Sequence, residues 1–384
     1  MFVPATPRAR AGFASLALTI TAAVAVAGPL TPPPGPVAPT QKTLQQVEPR
    51  TPVSAETTPG NENAVFIITQ PGSYYLTANV VGASGKDGVR ILADHVTLDL
   101  NGFTLQGVPG SGSGVTSDGL ADNITIRDGV VIGWGVSGVD LMANAGFAAG
   151  AIVEHVQSIS NGNRGISVGT DAIIRACIAR GNGADGIRAR SFTGSLGHAV
   201  IESCEASSNG SVGILAAAGS VVLNCVATSN LGGGIAVLSD SLVSGCVARS
   251  NQPFGVSLSA RSSAMGCTVT GTFAGSGIIA AGGGVVSNNT CAANSGGAGV
   301  RITGTRARVE RNHCTNNATG ILVESSDSLI IANTCGANGV NWNIAPNNHF
   351  GPILNMTGAA NFGVNGDAAA GNLPTTDPLA NFTY

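Results

Sequence analysis

From about Thr51 onward the chain runs in short apolar stretches that alternate with polar residues, and no helical 3.6-residue period develops. Such alternation predicts strands with one buried face. The runs align on one aliphatic or small position, found at Leu98, Ile126, Val153, Ile174, Ile201, Val222, Val243, Ala264, Val286, Val309 and Ile330. Successive anchors are 28, 27, 21, 27, 21, 21, 21, 22, 23 and 21 residues apart. Eight residues after an anchor stand Asn161, Asn182, Asn209, Asn230, Asn251, Asn294, Asn317 and Asn338, with Thr272 breaking the series. Gly-Ile or Gly-Val pairs come next, from Gly165-Ile166 to Gly320-Ile321. A period near 22 is too short for paired-helix repeats, which need about 33 residues or more, and the Leu-x-x-Leu-x-Leu pattern of leucine-rich repeats is missing. What remains is an all-β solenoid, a parallel β-helix of about eleven rungs with equivalent positions stacked about 4.8 Å apart.

Stacking gives each column a physical role. The Asn column is expected at a tight turn, where Asn tolerates left-handed backbone and its amide bonds to the amides of neighbouring rungs. Cys177, Cys204, Cys225, Cys246 and Cys267 lie three residues after their anchors. Cys291, Cys314 and Cys335 lie five after, and Asn289, Asn312 and Asn333 take the earlier slot. A shift of two keeps one face of a strand, so all eight are expected to point inward as small core fillers. Parallel Cβ vectors in one column disfavour disulfide geometry, which favours free thiols. No Cys-x-x-Cys spacing or histidine pattern points to a metal site, and no cofactor is implied.

These residues resemble the secreted right-handed parallel β-helix proteins of the pectate-lyase-like superfamily. The likeness runs from about Thr51 to Tyr384 through "QPGSYYLTANV", "VTLDLNGFTL", the "SNG…GI" and "NTCGAN" rungs and "DPLANFTY". It implies a right-handed coil and leaves activity open, because unrelated functions share this fold.

Composition narrows the setting. The 384 residues are 43% hydrophobic but only 4% aromatic, with 55 glycines, so small side chains must fill the core. A net charge of −3 offers no basic stripe for nucleic acid. Arg8 and Arg10 precede an apolar run, Ala11 to Ala27, that ends in Ala-Val-Ala and reads as a signal peptide over residues 1–27. Residues 28–60 read as a Pro-rich linker and lead-in, 61–345 as the capped β-helix and 346–384 as a tail. The mature chain is then expected outside the cytoplasm, secreted, periplasmic or at the cell surface, without a membrane anchor.

Candidate chemistry lies one residue after the anchor, on the outward side of the strand. Five consecutive rungs read Asp99, Arg127, Glu154, Arg175 and Glu202. Alternating signs fit an ion-pair ladder between rungs, and equally place Arg127 and Arg175 where a glycan could meet them. An arginine between each pair of acids lowers both acids' pKa, which suits a base better than a general acid. Calcium-dependent pectate lyases gather Asp and Glu around a metal, and this column departs from that. Two longer connections carry Phe147 and Phe192 and are expected to flank a short rung with Asp171 near Arg188, Arg190 and His198. The reading favoured is an extracellular scaffold that binds polysaccharide without turnover. A polysaccharide lyase or hydrolase and a purely structural surface protein are the alternatives.

Overall fold

The structure, a computed structural model, describes residues 48–118, 121–142, 149–190, 197–355 and 377–384. The expected signal peptide and the linker up to Val47 lie outside these residues. Among the described residues every regular element is a strand, and none forms a helix able to cross a membrane. A typical coil contributes three strands, such as Val221–Leu223, Val226–Thr228 and Gly233–Val237, which define faces 1, 2 and 3. Each pairs in parallel with its counterpart one coil on: Val222 with Val243, Ala227 with Ala248, Ile235 with Val256. The chain is therefore a parallel β-helix. Face 3 holds thirteen strands against the eleven anchors, because Ala64–Ile68 and Asp87–Ile91 precede the first anchor. At the two ends, Thr51–Pro52 pairs with face 1, and Asn381–Thr383 lies between Thr334–Gly336 and Ile353–Asn355.

The anchors stack in the expected register, Leu98 on Ile126 through to Val309 on Ile330, and all eleven are fully buried. A parallel sheet wound into a coil buries only its inner side, so alternate residues of each three-residue strand face the core. That core is aliphatic, with alanine and cysteine completing it.

The corners between faces carry the specific interactions. At each of the three, a residue in left-handed backbone is followed by an inward side chain that accepts the backbone N–H of the preceding coil. Between faces 2 and 3 the left-handed residues are Ser208, Ser229 and Ser250, and the acceptors are the asparagines that come after them. Asn209 donates its backbone N–H (3.0 Å) and its Nδ2 (2.9 Å) to Asn230 Oδ1, and Asn230 does the same to Asn251. The left-handed position is thus the residue before the asparagine, contrary to expectation. Asparagine is needed for its amide, which both donates and accepts; serine, alanine or glycine supplies the turn. At the break, Thr272 N still donates to Asn294 Oδ1 but Thr272 Oγ1 is buried without a partner.

The ladder also explains the glycine of the Gly-Ile pairs. A Cβ built on Gly213 would stand 2.6 Å from Asn230 Nδ2, and one on Gly299 would stand 2.8 Å from Asn317 Nδ2. The amide fills the space that a side chain would need. In the third coil Trp134 occupies the ladder slot, donates Nε1–H to Leu105 O, and fills a hollow walled by Gly82, Gly88 and Gly114.

The corner between faces 1 and 2 runs on sulfur. Cys204 N and Cys225 N each donate to the next coil's Sγ at 3.4 Å, until Cys267 N donates to Asn289 Oδ1 at 2.8 Å. Asn289, Asn312, Asn333 and finally Asn381 continue the column as an amide ladder. Cys291, Cys314 and Cys335 belong to a different column, inside face 2, in line with Val269. All eight cysteines are buried thiols, as the sequence implies, yet a corner separates the two groups. At the remaining corner serine takes the role: Ala199 N, Ser220 N and Ser241 N donate to the hydroxyls of Ser220, Ser241 and Ser262.

Replacing Asn230 by Ala orphans the buried Asn209 N–H and removes a donor from the Ala206 carbonyl, and is expected to cost about 1–3 kcal/mol. Leu231→Ala, at a side chain 63% exposed, should change stability by less than about 0.5 kcal/mol. Comparing the two melting temperatures with wild type checks the ladder. Hydrogen bonding along the thiol column, added to burial, pushes Cys204, Cys225 and Cys246 up to about 12. These thiols stay protonated at neutral pH. A disulfide-exchange reagent at pH 8 should find no fast-reacting thiol in the native protein and eight after denaturation.

Candidate functional site

The charged column of face 1 stacks as its spacing implies, Asp99, Arg127, Glu154, Arg175 and Glu202 on consecutive coils. Its members largely neutralise one another. Arg127 Nη2 lies 2.9 Å from Asp99 Oδ2, and Arg175 Nε donates to Glu154 Oε2 at 2.6 Å. Asp99 is also held by Arg50 Nη1 at 2.8 Å and is buried. Arg50 in turn lies over the Tyr75 ring and holds the Glu48 carboxyl down at about 2. Glu202 is exposed at the end of the column and forms no ion pair among the described residues. A column so paired offers little unneutralised charge to a ligand.

Asp171 sits at the corner before face 1 in left-handed backbone, and its Oδ1 meets His198 Nδ1 at 3.0 Å. Arg188 and Arg190 lie instead on and just after the face 3 strand Ile187–Ala189. The structure therefore brings Asp171 together with His198, and places both arginines in a separate group. Phe147 and Phe192 lie outside the described residues.

That separate group belongs to a run of polar residues along face 3, many of them buried. The outward residue after each Gly-Ile or Gly-Val pair forms the file Arg90, Thr116, Asp140, Ser167 and Arg188 on face 3. Two residues before each paired aliphatic stands a second file, Asp87, Ser113, Ser137, Arg164 and Asp185. Arg190 lies just beyond one strand, and Asp118 holds the equivalent place three coils earlier. In the next coil both files turn apolar, at Val212 and Leu215. The arginines at 188 and 190 were legible as candidates; the files were not, because attention to the anchor column passes over the residue after the Gly-Ile pair. That residue is the signal by which the site could be found.

Asp140 is the buried centre of the block. Its Oδ1 accepts Met142 N at 3.1 Å and its Oδ2 accepts Ser137 Oγ at 3.4 Å. Burial pushes its carboxyl up, against the pull of Arg164 and the neighbouring hydroxyls. Asp87 is raised by burial too, while accepting Ser113 N at 2.8 Å. Burial lowers the Arg188 guanidinium, and the nearby charges of Arg164 and Arg190 lower it further. Asp185, 3.5 Å from Arg188, gives part of that back. Two polar atoms stay unsatisfied: Arg164 Nε is buried without a partner, and the fully buried Ser167 Oγ faces Asp140 but closes no hydrogen bond of ordinary geometry. The block sets four guanidinium groups (Arg90, Arg164, Arg188, Arg190) against four carboxyls (Asp87, Asp118, Asp140, Asp185), and burial weakens the ionisation of Asp87 and Asp140. Such a site can take the carboxylate or hydroxyl groups of a ligand. No group of three or more His, Cys, Asp or Glu side chains that could hold a metal ion occurs among the described residues.

Residues 144–290 match the family described as "Right handed beta helix region", in keeping with the coil seen here. Among solved structures the chain is similar to the A-module of the Azotobacter vinelandii mannuronan C-5 epimerase AlgE6, with 19% identity and a TM-score of 0.56 over 73% of this chain and 89% of that one. It is also similar to the Dettilon tailspike protein gp208, with 16% identity and a TM-score of 0.50 over 68% of this chain and 60% of that one. At these identities the likeness carries the fold. No curated protein matches the chain in sequence.

The sign of the Asp140 shift gives a stability prediction. Between the unfolded carboxyl value and the higher folded one, the native state binds more protons than the unfolded state, so stability falls as pH rises through that window. Asp140→Asn should raise the melting temperature near neutral pH, and the gain should vanish below the unfolded carboxyl value. Melting curves of both proteins across pH 3–8 check it; a loss at neutral pH would contradict the burial cost.

Proposed function

We propose that this protein is an extracytoplasmic β-helix that binds an acidic polysaccharide along the first half of face 3. The observation that carries this reading is the five-coil polar block, in which Arg164 Nε is buried and unpartnered beside Arg188 and Arg190. Evolution of a solvated scaffold alone gives no reason to bury polar atoms without partners. A ligand carboxylate or hydroxyl supplies them. Repulsion among the arginines, which an anionic ligand relieves, favours an acidic polymer over a neutral one. The similarity in fold to the A-module of a mannuronan C-5 epimerase supports a carbohydrate partner.

A second reading, turnover by a lyase or hydrolase, draws on one specific group. Asp140, with its raised carboxyl pKa, is able to keep a proton closer to neutral pH than an exposed aspartate can, which is what a general acid requires. The face 1 acids, held beside arginines, lack that property.

Binding of mannuronan and of a neutral glucan, measured by calorimetry at low and moderate salt, tests the proposal. Mannuronan should bind and weaken as salt rises, and Arg188→Ala should weaken it by about tenfold or more, the loss of one charge-assisted contact. Arg175→Ala on face 1 should leave it unchanged. Equal affinity for both polymers, or no effect of Arg188→Ala, overturns the assignment. Release of unsaturated or reducing sugars that disappears in Asp140→Asn would establish turnover.

A further inference from the structure

The polar block ends abruptly, and the same face continues as an aromatic and aliphatic ridge. On face 3, Arg188 is succeeded by Leu215, Ala236, Ser257 and Ile279 in one outward file, and Asp185 by Val212, Gly233 and Phe254 in the other. The two blocks are continuous, since Val212 N donates to Asp185 Oδ1 at 3.2 Å. At the adjoining corner Leu231 and Phe273 stand two coils apart, 63% and 52% exposed. This corner departs from the rest of the solenoid. Elsewhere the residue after the ladder asparagine is small, as in Gly162, Gly183 and Gly210, whereas here it is Leu231, Gln252 and Phe273.

The placement of Phe254 shows how the ridge is built. A Cβ on Gly233 would fall 2.2 Å from Phe254 Cζ, so the phenyl group reaches back over the preceding coil into space that only glycine leaves open. Gly233 has φ +124, a conformation that side-chain-bearing residues rarely adopt. The aromatic ring therefore leans toward the arginine block, three coils or about 14 Å away at strand spacing. The ring is half-buried, and Phe273 extends the surface at the corner.

We infer that Phe254 and Phe273, with Val212 and Leu215 between them and the arginines, form a second subsite that takes the apolar faces of sugar rings further along the same polymer. The inference rests on the proposed polysaccharide reading and adds to it a division of labour. The arginine block holds the acidic groups of one stretch of the chain. The ridge stacks against the C–H faces of the next stretch; the next cation along its file, Arg301, is already paired with Glu324. A short fragment reaches only one of the two, whereas a fragment that spans the interval engages both without further loss of translational freedom.

Mannuronan di-, tetra-, hexa- and octasaccharides titrated into the full chain test this. Affinity should rise stepwise once the fragment spans the interval, by about tenfold, the scale of one or two stacked rings. Phe273→Ala, at an exposed side chain, and Phe254→Leu, which keeps the apolar filling, should each reduce that step and leave the disaccharide unaffected. Arg188→Ala should weaken every length. If short fragments bind at the arginine block but affinity does not change with length, or if the step survives in both phenylalanine variants, the second subsite is wrong while the polysaccharide reading stands. If no fragment and no polymer binds wild type, both fall.

Discussion

One contact recurs along all three corners of this solenoid: a backbone N–H that turns inward finds its acceptor in a side chain of the next coil, with a break at Thr272. A coil must bend three times per turn, and each bend takes an inward N–H out of line with the strand ladder. Buried and unpaired, such a group costs about 1–3 kcal/mol, and the penalty repeats on every coil. The chain meets it with three stacked columns. One is of amides (Asn209, Asn230, Asn251), one of thiols giving way to amides (Cys246, Cys267, Asn289), and one of hydroxyls (Ser220, Ser241, Ser262). The left-handed residue before each acceptor costs about 1–2 kcal/mol where it is not glycine, so the ladder bond must outweigh the turn that presents it.

The three columns differ in strength, and the differences reflect core volume. Sulfur accepts weakly, yet cysteine is compact and apolar enough to sit where Ala206 and Ala227 narrow the coil beside it. When asparagine replaces cysteine at Asn289, the neighbouring face 2 column changes in the same coil from Val269 to Cys291. The amide ladder then runs to the end of the solenoid, where Asn381 closes it by accepting Asn333 N–H and Nδ2–H.

Most of this was legible because it is periodic. Anchors, asparagines and glycines each repeat in phase, so a side chain fixed by stacking leaves a mark on the sequence in every coil. What escaped was either weaker in chemistry or broken in period. The serine column hides because serine is common on any polar strand end. Asn381 joins a ladder 48 residues after Asn333, an interval that no repeat announces. The left-handed residue cannot be told from its neighbour by composition, since serine, alanine, asparagine and glycine all occupy it. The face 3 files were within reach of the same alignment, but alternating charges on face 1 drew the chemical reading there, and alternation is the pattern by which opposite charges satisfy each other.

That contrast bears on where a ligand acts. On face 1, Asp99 with Arg127 and Glu154 with Arg175 have neighbours one coil away that cancel their charges, and the loose ends are single atoms or residues, Arg127 Nε and the terminal Glu202. On face 3 the same spacing of about 4.8 Å sets hydroxyls between the charged residues, which keeps Arg90, Asp140 and Arg188 from pairing along their file and leaves Arg164 Nε unmatched. A scaffold can tolerate such an incomplete surface only if its stability is secured elsewhere. Here it is, because the ladders lie inside the coil and owe nothing to the outward residues. The inward columns can therefore stay uniform from coil to coil while the outward files vary, and a face that gathers arginines, hydroxyls and an unmatched Arg164 Nε in adjacent coils is the one on which a partner has work to do.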